Sequence, residues 1–74
     1  MPYRPTYKQE MDDLIEGLIP KSPRYTTKHE IVTKGFREGV VRAALRRLVA
    51  AGLVTKAWHN AGYPVYFITP LQGE

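Results

Sequence analysis

The chain has 74 residues, 43% of them hydrophobic, with no cysteine and a formal net charge of +4. That length bounds it to one small domain with a thin core, the missing cysteines exclude a disulfide framework and a thiolate metal site, and no apolar run approaches the roughly 18 residues of a membrane span. The N-terminal MPYRPTYKQE lacks the apolar stretch of a signal peptide, so a cytoplasmic chain is expected.

Residues 1–6, with two prolines, are predicted to form an extended arm. Helix 1 is predicted over residues 7–18, capped by Thr6, with Met11, Leu14, Ile15 and Leu18 as its buried stripe. Glu10, Asp12, Asp13 and Glu16 form an acidic, solvated face, and the early ones suit the positive end of the helix dipole. Pro20 and Pro23 then enforce a loop, and Arg24-Tyr25 is compatible with a very short strand.

Helix 2 is predicted over residues 27–34. Thr27 and Glu30 are spaced as a capping box, and Ile31, with Val32 as a second candidate, is the residue it buries. Gly35-Phe36 makes a tight connection to helix 3, predicted over residues 37–51. There Val41, Ala44, Leu45, Leu48 and Val49 recur at helical spacing on one side, while Arg42 and Arg46 lie on the other. Gly52 ends the helix in the left-handed C-cap position. The period then changes to two, and a hairpin is predicted over residues 53–69, with strands 53–58 and 65–69 and its tip near residues 60–63. Asn60-Ala61-Gly62 fits a turn needing positive φ at Gly62. Trp58 shares a strand face with Val54 and Lys56, and is expected to anchor the sheet to the helices. Pro70 closes the strand and begins a tail, residues 70–74. The fold class is therefore α+β: three helices followed by a two-stranded antiparallel hairpin.

Charge is unevenly distributed along this order. Residues 1–20 hold Arg4 and Lys8 against Glu10, Asp12, Asp13 and Glu16, a net of −2. Residues 21–74 hold nine lysines or arginines against Glu30, Glu38 and Glu74, a net of +6. The asymmetry points to a polyanion met by the second part of the chain. Catalysis is not expected. His29 and His59 have no nucleophile arranged around them, and the adjacent Asp12 and Asp13 point in different directions on a helix. Phosphate-loop and metal-ligand spacings are absent, so no cofactor, metal or small-molecule ligand is expected.

The stretch Gly35-Phe36-Arg37-Glu38-Gly39-Val40-Val41-Arg42-Ala43-Ala44-Leu45-Arg46-Arg47-Leu48, followed by Ala51-Gly52-Leu53-Val54, resembles the turn, recognition helix and wing entry of the winged helix-turn-helix family of DNA-binding domains. Gly35 matches the family's turn glycine, Phe36 its apolar turn position, and Val41, Leu45 and Leu48 its core positions. Arg37 stands where the family often carries a serine or threonine cap, and Gly39 where it often has a side chain facing the groove.

The resemblance implies double-stranded DNA as the partner, with helix 3 entering the major groove by its N-terminal half. On that footing Arg37, Arg42 and Arg46 are candidates for guanine or phosphate contacts. Val40 and Ala43 are candidates for a thymine methyl, with Val40 equally open to a core position, and Arg47 for a phosphate or for covering the core edge with its stem. Thr26, Lys28 and Lys34 extend the patch from helix 2, and Lys56, His59, Asn60 and Tyr63 extend it from the wing. Two functions stand open: a small transcriptional regulator, or a winged-helix docking module for RNA or a protein within a larger complex. Tyr3, Tyr7 and Leu71 are the apolar material for a homodimer through helix 1 or the termini.

Overall fold

Period and capping translate into five elements: α1 Tyr7–Glu16, α2 Lys28–Val32, α3 Glu38–Ala50, β1 Val54–Trp58 and β2 Pro64–Ile68. The structure, a computed structural model, describes residues 7–70. The expected arm at 1–6 and the last four tail residues, with Tyr3 and Leu71 among them, lie outside the described residues. Three helices followed by an antiparallel hairpin is the generic winged-helix architecture.

Each boundary has a local cause. α2 starts where the Thr27 hydroxyl accepts from the Glu30 backbone N–H at 3.2 Å, satisfying one orphan donor of the first turn. The reciprocal half of the predicted capping box is rerouted, because the Glu30 carboxylate instead accepts from the Thr26 hydroxyl at 3.0 Å. α2 ends at Val32, two residues before its predicted end, as the chain turns through Gly35 at φ +111°. α3 closes in a Schellman motif, with Leu53 N–H donating to the Leu48 carbonyl and Gly52 N–H to the Val49 carbonyl, both at 3.0 Å. Gly52 makes this possible at φ +77°.

The core lies between α3 and the other elements. Ile15, Ile19, Ile31, Val41, Ala44, Leu45, Leu48, Val54 and Tyr66 form one buried cluster. The expected stripe of helix 1 needs correcting here. Ile15 is fully buried, Met11 and Leu18 are half-buried, and Leu14 is 56% exposed. The helix stops at Glu16, and Ile19, past its end, supplies the second deep contact. α1 packs mainly on α3, and one helix neighbour covers a narrower stripe than four residues.

In the hairpin Val54 pairs with Ile68, Lys56 with Tyr66 and Trp58 with Pro64. The predicted short strand at Arg24-Tyr25 is instead a pair of isolated bridges on the free edge of β2. Thr26 pairs antiparallel with Tyr66, and Lys21 pairs parallel with Ile68. These bridges tie the proline loop to the sheet. At the hairpin tip His59 N–H donates to the Tyr63 carbonyl at 2.8 Å and Gly62 N–H to the His59 carbonyl at 2.9 Å, with Gly62 at φ +94° as its turn requires. Trp58 does not anchor the sheet. Burial falls along one face of β1 from Val54 to Lys56 to Trp58, and the indole is 67% exposed.

Candidate nucleic-acid interface

α3 positions the candidates by rotation about its axis. With Val41, Ala44, Leu45 and Leu48 inward, successive residues 100° apart place Arg42 and Arg46 on the flank facing β1, and Val40 and Arg47 on the flank facing α1. Two open grooves follow. The first, about 570 Å³, runs between α3 and the hairpin, lined by Arg42, Arg46 and Val49 on one side and Lys56 and Tyr66 on the other. The second, about 230 Å³, runs between α3 and α1 past Lys8, Met11, Val40 and Arg47. Gly39 and Ala43 line both grooves, so the outermost line of α3 is a low ridge of small residues.

The cations on this surface divide into held and free. Glu38, in the first turn of α3, holds two of them. Its carboxylate is 3.1 Å from Lys28 Nζ and 3.7 Å from Arg42 Nη2. The hydrogen bond from Lys28, then the Lys28 and Arg42 charges, hold the Glu38 carboxyl below its ordinary value. Arg47 is held more firmly, by a bidentate fork on Asp12 with Nε 2.9 Å from Oδ2 and Nη2 2.7 Å from Oδ1. The Asp12 side chain is 19% exposed and the Arg47 side chain 37%. The hydrogen bond that Arg47 donates to the Asp12 carboxylate raises the Arg47 pKa further above its ordinary value, so the guanidinium stays charged throughout. This pair pins α1 to α3 and takes one carboxylate out of the expected solvated acidic face.

Arg37, Arg46, Lys34 and Lys56 are exposed and form no ion pair among the described residues. Arg37 is the N-cap residue of α3, with extended backbone and no side-chain capping bond, so its guanidinium is not committed to the helix end. Arg42 keeps a 69% exposed side chain despite its long contact to Glu38. Thr26 is elsewhere: it is 5% exposed, with its hydroxyl on Glu30 and its backbone paired to β2. Val40 packs half-buried against the core, whereas Ala43 is exposed.

The wing candidates separate by face. Lys56 points to the helix side with Tyr66 opposite. His59 and Tyr63 stack on each other, ring centroids 4.6 Å apart and planes 8° apart, with Tyr25 tilted at 6.0 Å from His59. The His59 Nδ1 accepts from the Ala61 N–H at 3.0 Å, so this ring serves the turn. Asn60 is exposed at the tip. Sequence reasoning missed Glu38 as the organiser of Lys28 and Arg42. Its only signal was an acid four residues ahead of Arg42 on one helix.

Among the described residues no group of three or more histidine, cysteine, aspartate or glutamate side chains is placed to hold a metal ion, and no helix is long and apolar enough to cross a membrane. No protein-family model and no curated protein matches this chain.

Proposed function

We propose that this chain is a small, non-catalytic winged-helix unit that binds double-stranded DNA, with α3 in the major groove, and acts as a regulator of transcription in the cytoplasm. The observation that carries the reading is the first groove. Arg42 and Arg46, one turn apart on α3, face Lys56 on β1 across an open cleft, while the acidic helix α1 stands on the other flank. A polyanion lying along α3 meets cations on that side without meeting the carboxylates of α1.

The residue types also say what kind of recognition to expect. Arg37 at the N-cap and Arg42 and Arg46 along one flank are the long donors, and the ridge beside them is Gly39 and Ala43. Long arginines beside a side-chain-poor ridge suit close contact with phosphates and a few guanine edges, with Ala43 against a thymine methyl. Specificity is then modest, and affinity depends strongly on salt.

The test compares duplex DNA and folded RNA binding for the wild type and an Arg42→Ala, Arg46→Ala double variant. The expected result is at least a tenfold loss on duplex DNA with circular dichroism unchanged. Unchanged DNA affinity in the folded double variant removes the assignment. Binding to folded RNA or a protein with none to duplex DNA replaces it with the docking-module function.

A further inference from the structure

Trp58 stands two residues beyond Lys56 on β1, about 6.7 Å along the strand and on the same face. Its indole is 67% exposed, more than any other large hydrophobic among the described residues. Lys56 Nζ lies 5.2 Å from the ring centroid. Lys56 also lines the groove that holds Arg42 and Arg46. A largely exposed aromatic ring therefore stands beside Lys56, which also lines the basic groove.

We propose that Trp58 and Lys56 form a stacking site for an unpaired nucleotide, a base in a single-stranded extension adjoining the duplex held by α3. The inference rests on the DNA-binding function proposed above. Inside an intact duplex the grooves display base edges, and the base faces are covered by their neighbours. A flat apolar ring finds a matching face where the stack ends. The surroundings of the ring select a nucleotide over an apolar peptide. The neighbour on its own face of β1 is an ammonium, its cross-strand partner is Pro64, and the adjoining cleft carries two arginines. Lys56 serves both parts of such a ligand, since its charge sits by the indole face and is exposed to a phosphate on the same strand.

Trp58 is the one tryptophan of the chain, so fluorescence excited at the red edge, where the tyrosines do not absorb, reports this ring alone. The full chain is titrated with a blunt duplex, the same duplex carrying a 5′ or a 3′ single-stranded extension, and the extension strand alone. One of the extended duplexes is expected to quench Trp58 and bind roughly tenfold tighter than the blunt duplex, within the range for one stacked base. Trp58→Ala brings the extended and blunt duplexes to equal affinity, and Trp58→Phe keeps part of the difference. Equal wild-type affinity for all the duplexes, or equal quenching by the blunt one, overturns the stacking site and leaves the duplex-binding function standing. Absence of binding to every probe overturns both.

Discussion

Glu38→Gln is the change that tests the electrostatic layout of α3 most directly. The carboxylate holds Lys28 at 3.1 Å and Arg42 at 3.7 Å, and it is the one negative charge in the first turn of the helix assigned to the groove. On the proposed function, replacing it with the neutral amide leaves the helix start polar, frees two cations and removes a repulsion with phosphate. The expected outcome is tighter duplex binding at low salt and a steeper salt dependence. The slope of log affinity against log salt steepens by about 0.9 for one added phosphate contact and about 1.8 for two. Between about 50 and about 200 mM salt, each such contact adds roughly a 3.5-fold further loss. Fluorescence anisotropy of a labelled duplex across a salt series measures this directly, with a melting curve as the control for folding. Parallel slopes for variant and wild type, or weaker binding by a variant still fully folded at the assay temperature, refute the idea that Lys28 and Arg42 belong to the DNA face.

The Asp12–Arg47 fork should show in a double-mutant cycle with Asp12→Ala and Arg47→Ala, with a coupling of about 1 kcal/mol in urea unfolding, the upper end for a partly exposed pair with bidentate geometry. Zero coupling would mean that the fork adds nothing to α1 docking. Ile15→Ala should cost about 2–4 kcal/mol because the side chain is fully buried, while Leu14→Ala, at a site 56% exposed, should cost under about 1 kcal/mol. Similar costs for both would contradict the orientation of α1. A Cβ at Gly39 meets nothing within 4 Å, so Gly39→Ala should stabilise α3 by about 0.5 kcal/mol through helix propensity, yet weaken duplex binding if backbone and phosphate come close there. A gain in both stability and affinity would assign Gly39 no role in approach. The Glu38 carboxyl is held below its ordinary value of 4.5 by the Lys28 hydrogen bond and by the Lys28 and Arg42 charges. Its stabilising contribution is therefore fully present above that value and is lost as pH falls through the depressed one. Wild type and Glu38→Gln should differ in stability at neutral pH and converge in strong acid. A gap that persists in acid would point to another cause.

The parts of the fold that were legible in the chain are those with local causes. Gly52 at the end of an apolar period marks a helix stop because a left-handed residue must close the motif. Residues 65–68 have strand chemistry, and a turn glycine precedes them at Gly62. The parts that were not legible depend on partners distant along the chain. Arg47 and Asp12 are 35 residues apart, and only the crossing of α1 over α3 brings them together. Lys28 meets Glu38 because the turn at Gly35 folds α2 back on the start of α3. Alternation correctly places Val54, Lys56 and Trp58 on one face, but it does not say how far the helices extend beneath that face. Cover ends after Val54, so the expectation for Trp58 failed on length and not on direction. Leu14 failed similarly, since its stripe assumed more neighbours than α3 alone provides.

The division of cations bears on what the proposed interface can do. An arginine fixed in a fork with a partly buried carboxylate is preorganised, but its Nε and Nη2 are committed to Asp12, so Arg47 is better placed to orient α3 than to read a base bidentately through that edge. Arg46 is unpaired among the described residues, and it lies one turn along the same flank from Arg42, whose own contact to Glu38 is long and exposed. Binding phosphate there trades a weak, solvated ion pair for a charge-assisted bond at little cost. The firmly held Arg47 thus sets the pose of the helix, while the free Arg46 and Lys56 and the loosely paired Arg42 meet the ligand. On the proposed function this makes affinity depend mainly on Arg46, Arg42 and Lys56. Loss of Arg47 should then act on DNA indirectly, through the angle between α1 and α3, and a second change at Asp12 should add little to that loss.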